Sequence, residues 1–171
     1  QDPKNNKTEP IAIALPYRAP NIALPFTLRV GFQGITYAKG ASNHIMKIYL
    51  NGELMNTARW EGATEFISES TIRQDRVNRS NWLTIECHDS NDTRDDTDPK
   101  WDVYLNWVEV GYWREFATNT NGLEFPTETI PSVTRNAVFS VSNFTRSEVE
   151  VFQIDLSNAI AKIINPKVEK V

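Results

Sequence analysis

The chain is predicted to be all-β: a jelly-roll-like β-sandwich of two antiparallel sheets with a short C-terminal β appendage. Three observations carry that expectation. Residues 26–32 alternate, with Phe26, Leu28, Val30 and Phe32 on one side and polar or small residues on the other, the period of a half-buried strand. Asn51-Gly52 separates two further strand-like runs, and that dipeptide accepts positive φ at both centres of a two-residue hairpin. No stretch carries the pattern of a long amphipathic helix, which leaves layered sheets as the way to bury apolar surface.

In chain order, Gln1–Pro10 is polar and reads as a disordered lead-in, as in an excised fragment or a processed chain. Pro16, Pro20 and Pro25 then restrict residues 11–24 to short extended pieces along a sheet edge. After the 26–32 strand and a loop over 34–43, Met46, Ile48 and Leu50 face the core on the way into the Asn51-Gly52 turn. Glu53 to Trp60 forms the return strand. Phe66 to Ile72 is another strand, Gln74 to Ser80 a polar connection, and residues 81–87 place Leu83, Ile85 and Cys87 inward. Trp101 to Phe116 is so dense in aromatic and β-branched residues that it is expected to be the central strand, covered on both faces. Ala117 to Gly122 is a linker. Three short strands (Leu123–Phe125, Ala137–Val141, Glu148–Ile154) and one helical turn (Ala159–Ile164) complete the chain. The domain reading is an extended segment over 1–25, a sandwich core over 26–116, and C-terminal strands over 117–171.

Composition excludes some functions. With 171 residues, 40% hydrophobic and 11% aromatic, the chain suits one domain with a small appendage. A net charge of −4 and no basic stripe argue against nucleic acid, because phosphate contacts need clustered Lys and Arg. No apolar run has the length of a membrane span. A single cysteine, Cys87, excludes an internal disulfide. Sequons occur at Asn6, Asn78, Asn91 and Asn143, in a chain so rich in Asn and Thr that they carry little information.

Catalytic constellations are weak. Cys87-His88 has the residue types of a nucleophile and base, but neighbours on a strand point to opposite faces. His44, at the mouth of a strand, reads as a loop hydrogen-bonding residue. Glu61, Glu65, Asp102 and Glu109 are candidate carboxylates for glycoside chemistry, yet nothing in the sequence sets the separation such a pair requires.

Two binding readings are stronger. Between Asp89 and Asp102, six Asp stand against Arg94 and Lys100, a local balance of −4. The possible cofactor is therefore Ca²⁺, held by oxygens of Asp89, Asn91, Asp92, Asp95, Asp96 and Asp98. Arg94 and Lys100 break the EF-hand pattern, and a solvated acidic loop is the plainer alternative. Of the five tryptophans, Trp107 lies mid-strand and is expected in the core. Trp60 and Trp101 lie at loop edges, with Arg59 and Asp102 among their polar neighbours. Those four form the candidate glycan site, since an aromatic face stacks on pyranose C–H groups while polar neighbours bind hydroxyls.

Taken together, Thr27-Leu-Arg-Val, His44-Ile-Met-Lys-Ile-Tyr-Leu-Asn-Gly, Ala58-Arg-Trp-Glu-Gly and Tyr104-Leu-Asn-Trp-Val-Glu-Val resemble the galactose-binding-like jelly rolls. In particular they resemble the β-sandwich preceding the peptidase domain of gingipain-type cysteine peptidases, including the sortase of the type IX secretion system. Val138 to Phe144 and Glu150 to Asp155 resemble the segment leading into that peptidase, and the likeness spans residues 26–168. Trp113 stands where that family often has proline, and Asn143 where it often has glycine. The resemblance implies a non-catalytic accessory or spacer module of a secreted or cell-surface bacterial protein. Its partners would be neighbouring domains, with a peptidase beyond Val171. A carbohydrate-binding module is the alternative, and a glycoside-active enzyme a distant one.

Overall fold

A computed structural model describes residues 8–20, 22–35, 44–87, 103–125, 139–154, 160–163 and 166–169. Nine strands follow in order: β1 (Ile11–Ala14), β2 (Pro25–Gly34), β3 (His44–Leu50), β4 (Glu53–Trp60), β5 (Glu65–Arg73), β6 (Ser80–Cys87), β7 (Val103–Gly111), β8 (Val151–Ile154) and β9 (Ile160–Ile163). They form a four-stranded sheet in the order β1-β6-β3-β4, a three-stranded sheet in the order β5-β2-β7, and a β8-β9 hairpin. All pairings between these strands are antiparallel. Among the described residues there is no α-helix, only a single 3-10 turn at Gln74–Arg76. The two larger sheets pack face to face, and the fold is an all-β sandwich as predicted.

Period-two alternation explains the core. On β2, Phe26, Leu28, Val30 and Phe32 are each no more than 1% exposed. They meet Met46, Ile48 and Leu50 of β3, Ala58 and Trp60 of β4, and Leu83 and Ile85 of β6 in one hydrophobic cluster. β1 pairs with β6 at the edge of its sheet, the place expected of the proline-punctuated opening. The Asn51-Gly52 hairpin forms as predicted, with φ of 53° and 83° at its two centres. Those angles suit a turn whose twist matches the flanking strands.

The Trp101–Phe116 segment is not the central strand. Its described strand, β7, lies at an edge of the three-stranded sheet, and β2 is central. A bulge at Gly31/Phe32 makes Asn106 the extra residue, so Leu105, Val108 and Val110 all pack against the core. Trp107 pairs with Gly31 and Tyr104 with Gln33, on the opposite face. The apolar content on both sides of this strand therefore supplies an aromatic outer surface, and no second covering layer is needed to account for it.

The chain divides into two compact units between Arg114 and Glu115. In the second unit, residues 117–122 form a closed loop instead of an open linker. Thr118 is buried, its hydroxyl donates to the Gly122 carbonyl at 2.7 Å, and it accepts the amides of Thr120 and Gly122. Phe116, Phe125 and Phe139 cluster, with ring centroids 4.3–6.2 Å apart. Leu123–Phe125 is not a strand, nor are residues 139–141 of the second predicted one. Residues 160–163 form a strand where a helical turn was expected, because Ile160 to Ile163 pairs along the whole length of β8. Cross-strand pairing overrides the weak local preference of so short a segment.

Candidate functional site

Trp60 belongs to the core and not to a ligand surface. It is 7% exposed, with Phe32 and Phe66 stacked on it at centroid distances of 5.6 and 5.1 Å, and His44 at 4.8 Å. A ring packed in this way offers no free face to a pyranose. Arg59, its neighbour on β4, is exposed on the other side of the sheet, so the predicted pair does not converge. Trp101, Asp102 and the acidic residues Asp89, Asn91, Asp92, Asp95, Asp96 and Asp98 lie outside the described residues. So does His88. Cys87 is partly buried on β6, opposite Met46.

The exposed indole is Trp82. Leu83 and Ile85 point into the core, so alternation turns Ser80, Trp82 and Thr84 outward, and Trp82 is 55% exposed. These three residues floor a shallow depression on the outer face of the four-stranded sheet. Its rim is the Asn51-Gly52 turn on one side, with Pro10 and Asn78 completing it. Gly52 adds no side chain to that rim, and a Cβ built there would meet nothing within 4 Å.

The shelf is braced from beneath. The Trp82 amide donates to Asn51 Oδ1 at 3.0 Å, and the Asn51 amide donates to the Trp82 carbonyl at 2.8 Å. Asn51 Nδ2 donates to Oδ1 of Asn81 at 2.9 Å. Asn81, 1% exposed, also accepts the Asn78 amide at 2.9 Å and donates to the Asn78 carbonyl at 2.7 Å. One buried asparagine thus locks the hairpin, the Asn78 turn and the start of β6 together. Pro10 is held by its neighbour Thr8, whose amide donates to the Ile85 carbonyl at 2.8 Å and whose hydroxyl accepts the Ile85 amide at 3.0 Å. The indole is therefore presented on fixed backbone, with uncharged polar groups beside it.

The opposite sheet carries a second aromatic surface. Trp107, expected in the core, lies instead on the outer face over Gly31, where an added Cβ would come within 2.4 Å of indole Cε2. The Arg29 guanidinium sits 5.4 Å from that ring, and pairs with Glu109 at 2.9 Å and Glu69 at 3.5 Å. This surface is rimmed by paired charges, unlike the Trp82 shelf.

His44, expected in a loop, is 1% exposed at the start of β3. Its Nε2 lies 3.2 Å from the Gly62 carbonyl, and Gly34 packs against the imidazole so closely that a Cβ there would be 2.6 Å from Nε2. Burial lowers its pKa below the ordinary histidine value, with the Gly62 hydrogen bond acting in the opposite direction. Among the described residues, Nδ1 has no hydrogen-bond partner.

No family model matches the chain, and no curated protein matches it significantly. Among the described residues, no helix is long and apolar enough to cross a membrane.

Proposed function

We propose that the chain is a non-catalytic, carbohydrate-binding β-sandwich module that takes glycans on the Trp82 shelf. One observation carries this reading: an indole 55% exposed on the outer face of a hydrogen-bonded sheet, held by the Asn51–Asn81 network. An aromatic face that large, left in water on rigid backbone, suits the apolar C–H face of a pyranose, with the Asn78 amide and the Ser80 and Thr84 hydroxyls within the same depression. Sequence reasoning ranked an accessory spacer first and a sugar-binding module second. The exposed indole of the shelf is the reason for putting the sugar-binding reading first here. That reading is compatible with a parent protein of the gingipain-peptidase kind, secreted or held at a bacterial cell surface. An accessory role beside neighbouring domains of the same polypeptide is compatible with glycan binding.

The test is retention on a glycan array by the wild-type chain and by Trp82→Ala. The reading predicts a set of glycans bound by wild type and lost in the variant, with the melting temperature nearly unchanged because the side chain is already exposed. Equal retention by both proteins contradicts it.

A further inference from the structure

We infer that the Trp82 shelf selects uncharged pyranose units and discriminates against acidic and amino sugars. This inference rests on the carbohydrate reading and adds the ligand class. Among the described residues, no charged side chain lines the depression: its groups are an indole, a proline ring, hydroxyls, carboxamides and Gly52. Glu9 and Arg79 adjoin lining residues in sequence but do not themselves line the depression, and the carboxylates on the hairpin and on β6 have partners. Glu53, which follows the turn, pairs with Arg76 at 3.0 Å, and Glu86 accepts a hydrogen bond from the Tyr49 hydroxyl.

The consequence follows from desolvation. A uronate or sulfated sugar settling on the indole would have to shed water from its anion without gaining a guanidinium or ammonium partner. Whatever water the anion loses on this shallow shelf is left uncompensated, which weakens binding relative to a neutral sugar. An amino sugar meets the converse difficulty, because the shelf presents no free carboxylate. Neutral hydroxyls encounter groups of matching polarity. The two carboxamides of the rim differ in availability. The Asn51 amide is committed on both sides, its Nδ2 to Asn81 and its Oδ1 to the Trp82 amide. That leaves the exposed Asn78 side chain and the β6 hydroxyls to orient a sugar.

Calorimetric titration of the whole chain with soluble neutral polysaccharides (a glucan, a galactan, a mannan) and with a polyuronate tests this. Each titration is run at low and at near-molar NaCl, with wild type and Trp82→Ala. The inference predicts binding to at least one neutral polysaccharide that is insensitive to salt and at least about tenfold weaker in the variant, the order expected for one aromatic contact. Trp82-dependent binding that favours the polyuronate and falls with salt overturns the neutral-sugar inference while leaving the carbohydrate reading in place. Binding of no polysaccharide, or binding unchanged in Trp82→Ala, overturns both.

Discussion

Trp60 and Trp82 lie two strands apart in one sheet and face opposite sides of it, so the same side chain is a core element in one place and a surface in the other. Truncation separates the two roles. Trp60→Ala removes a ring that stacks on Phe32 and Phe66, and should cost about 3–5 kcal/mol, as large-to-small changes in packed cores do. Trp82→Ala should stay within about 1 kcal/mol of wild type. Urea unfolding of the two variants measures the contrast, and similar losses would contradict it. His44 gives a pH-dependent counterpart. Its folded-state pKa is depressed, so the unfolded chain binds the proton more readily in the window below the ordinary value of 6.5. Stability should be constant with respect to this group above that value and fall as pH drops through the window, flattening below the folded-state pKa. His44→Gln should be less stable at neutral pH but should lack that component of the pH profile. Chemical denaturation across pH 4–8 reads the difference. A wild-type profile that rises on acidification through this window would contradict the assignment.

At the scale of elements, the connection between β5 and β6 does more than join them. Gln74 is fully buried. It donates to the carbonyls of Ala19 at 2.9 Å and Trp113 at 2.8 Å, and accepts the Trp113 amide at 2.5 Å. One side chain thus ties the segment before β2, the 3-10 turn and the segment after β7. Gln74→Ala removes three hydrogen bonds but strands one group, the Trp113 amide. The Trp113 carbonyl keeps the Ala19 amide at 3.0 Å, and the Ala19 carbonyl keeps the Arg18 guanidinium at 3.3 Å. The unpaired amide should cost about 1–3 kcal/mol, to which the cavity left by the side chain adds. Gln74→Glu should also destabilise, because a carboxylate cannot donate to those carbonyls. Thermal melts of both variants check this, and near-native melting of either would count against the hub. In sequence, Gln74 is one polar residue in a polar connection, and nothing local shows that it is buried. The legible features were local ones: the alternation of β2 and β6, and the Asn51-Gly52 turn. The same alternation, applied to Ala58 and Trp60 beside Leu83 and Ile85, already puts Trp60 inward and Trp82 outward. Loop position was the weaker guide to a platform. What could not be read was strand order, a matter of long-range pairing: hence the edge position of β7. The bulge that turns Trp107 onto Gly31 and the strand pairing of residues 160–163 were hidden for the same reason.

At the largest scale, the sandwich of the first unit presents two unlike outer faces. The four-stranded face carries an uncharged aromatic shelf, and the three-stranded face an aromatic surface edged by the Glu69–Arg29–Glu109 pairs. The central claim is that ligand meets the first of these through Trp82. Indole N–H resonances report it most directly. In a ¹⁵N–¹H correlation spectrum of the five tryptophans, assigned with single Trp→Phe variants, titration with a bound neutral glycan should shift the Trp82 cross-peak most. The cross-peak of buried Trp60 should stay in place. A titration that moves the Trp107 or Trp60 indole while leaving Trp82 unchanged would contradict the account.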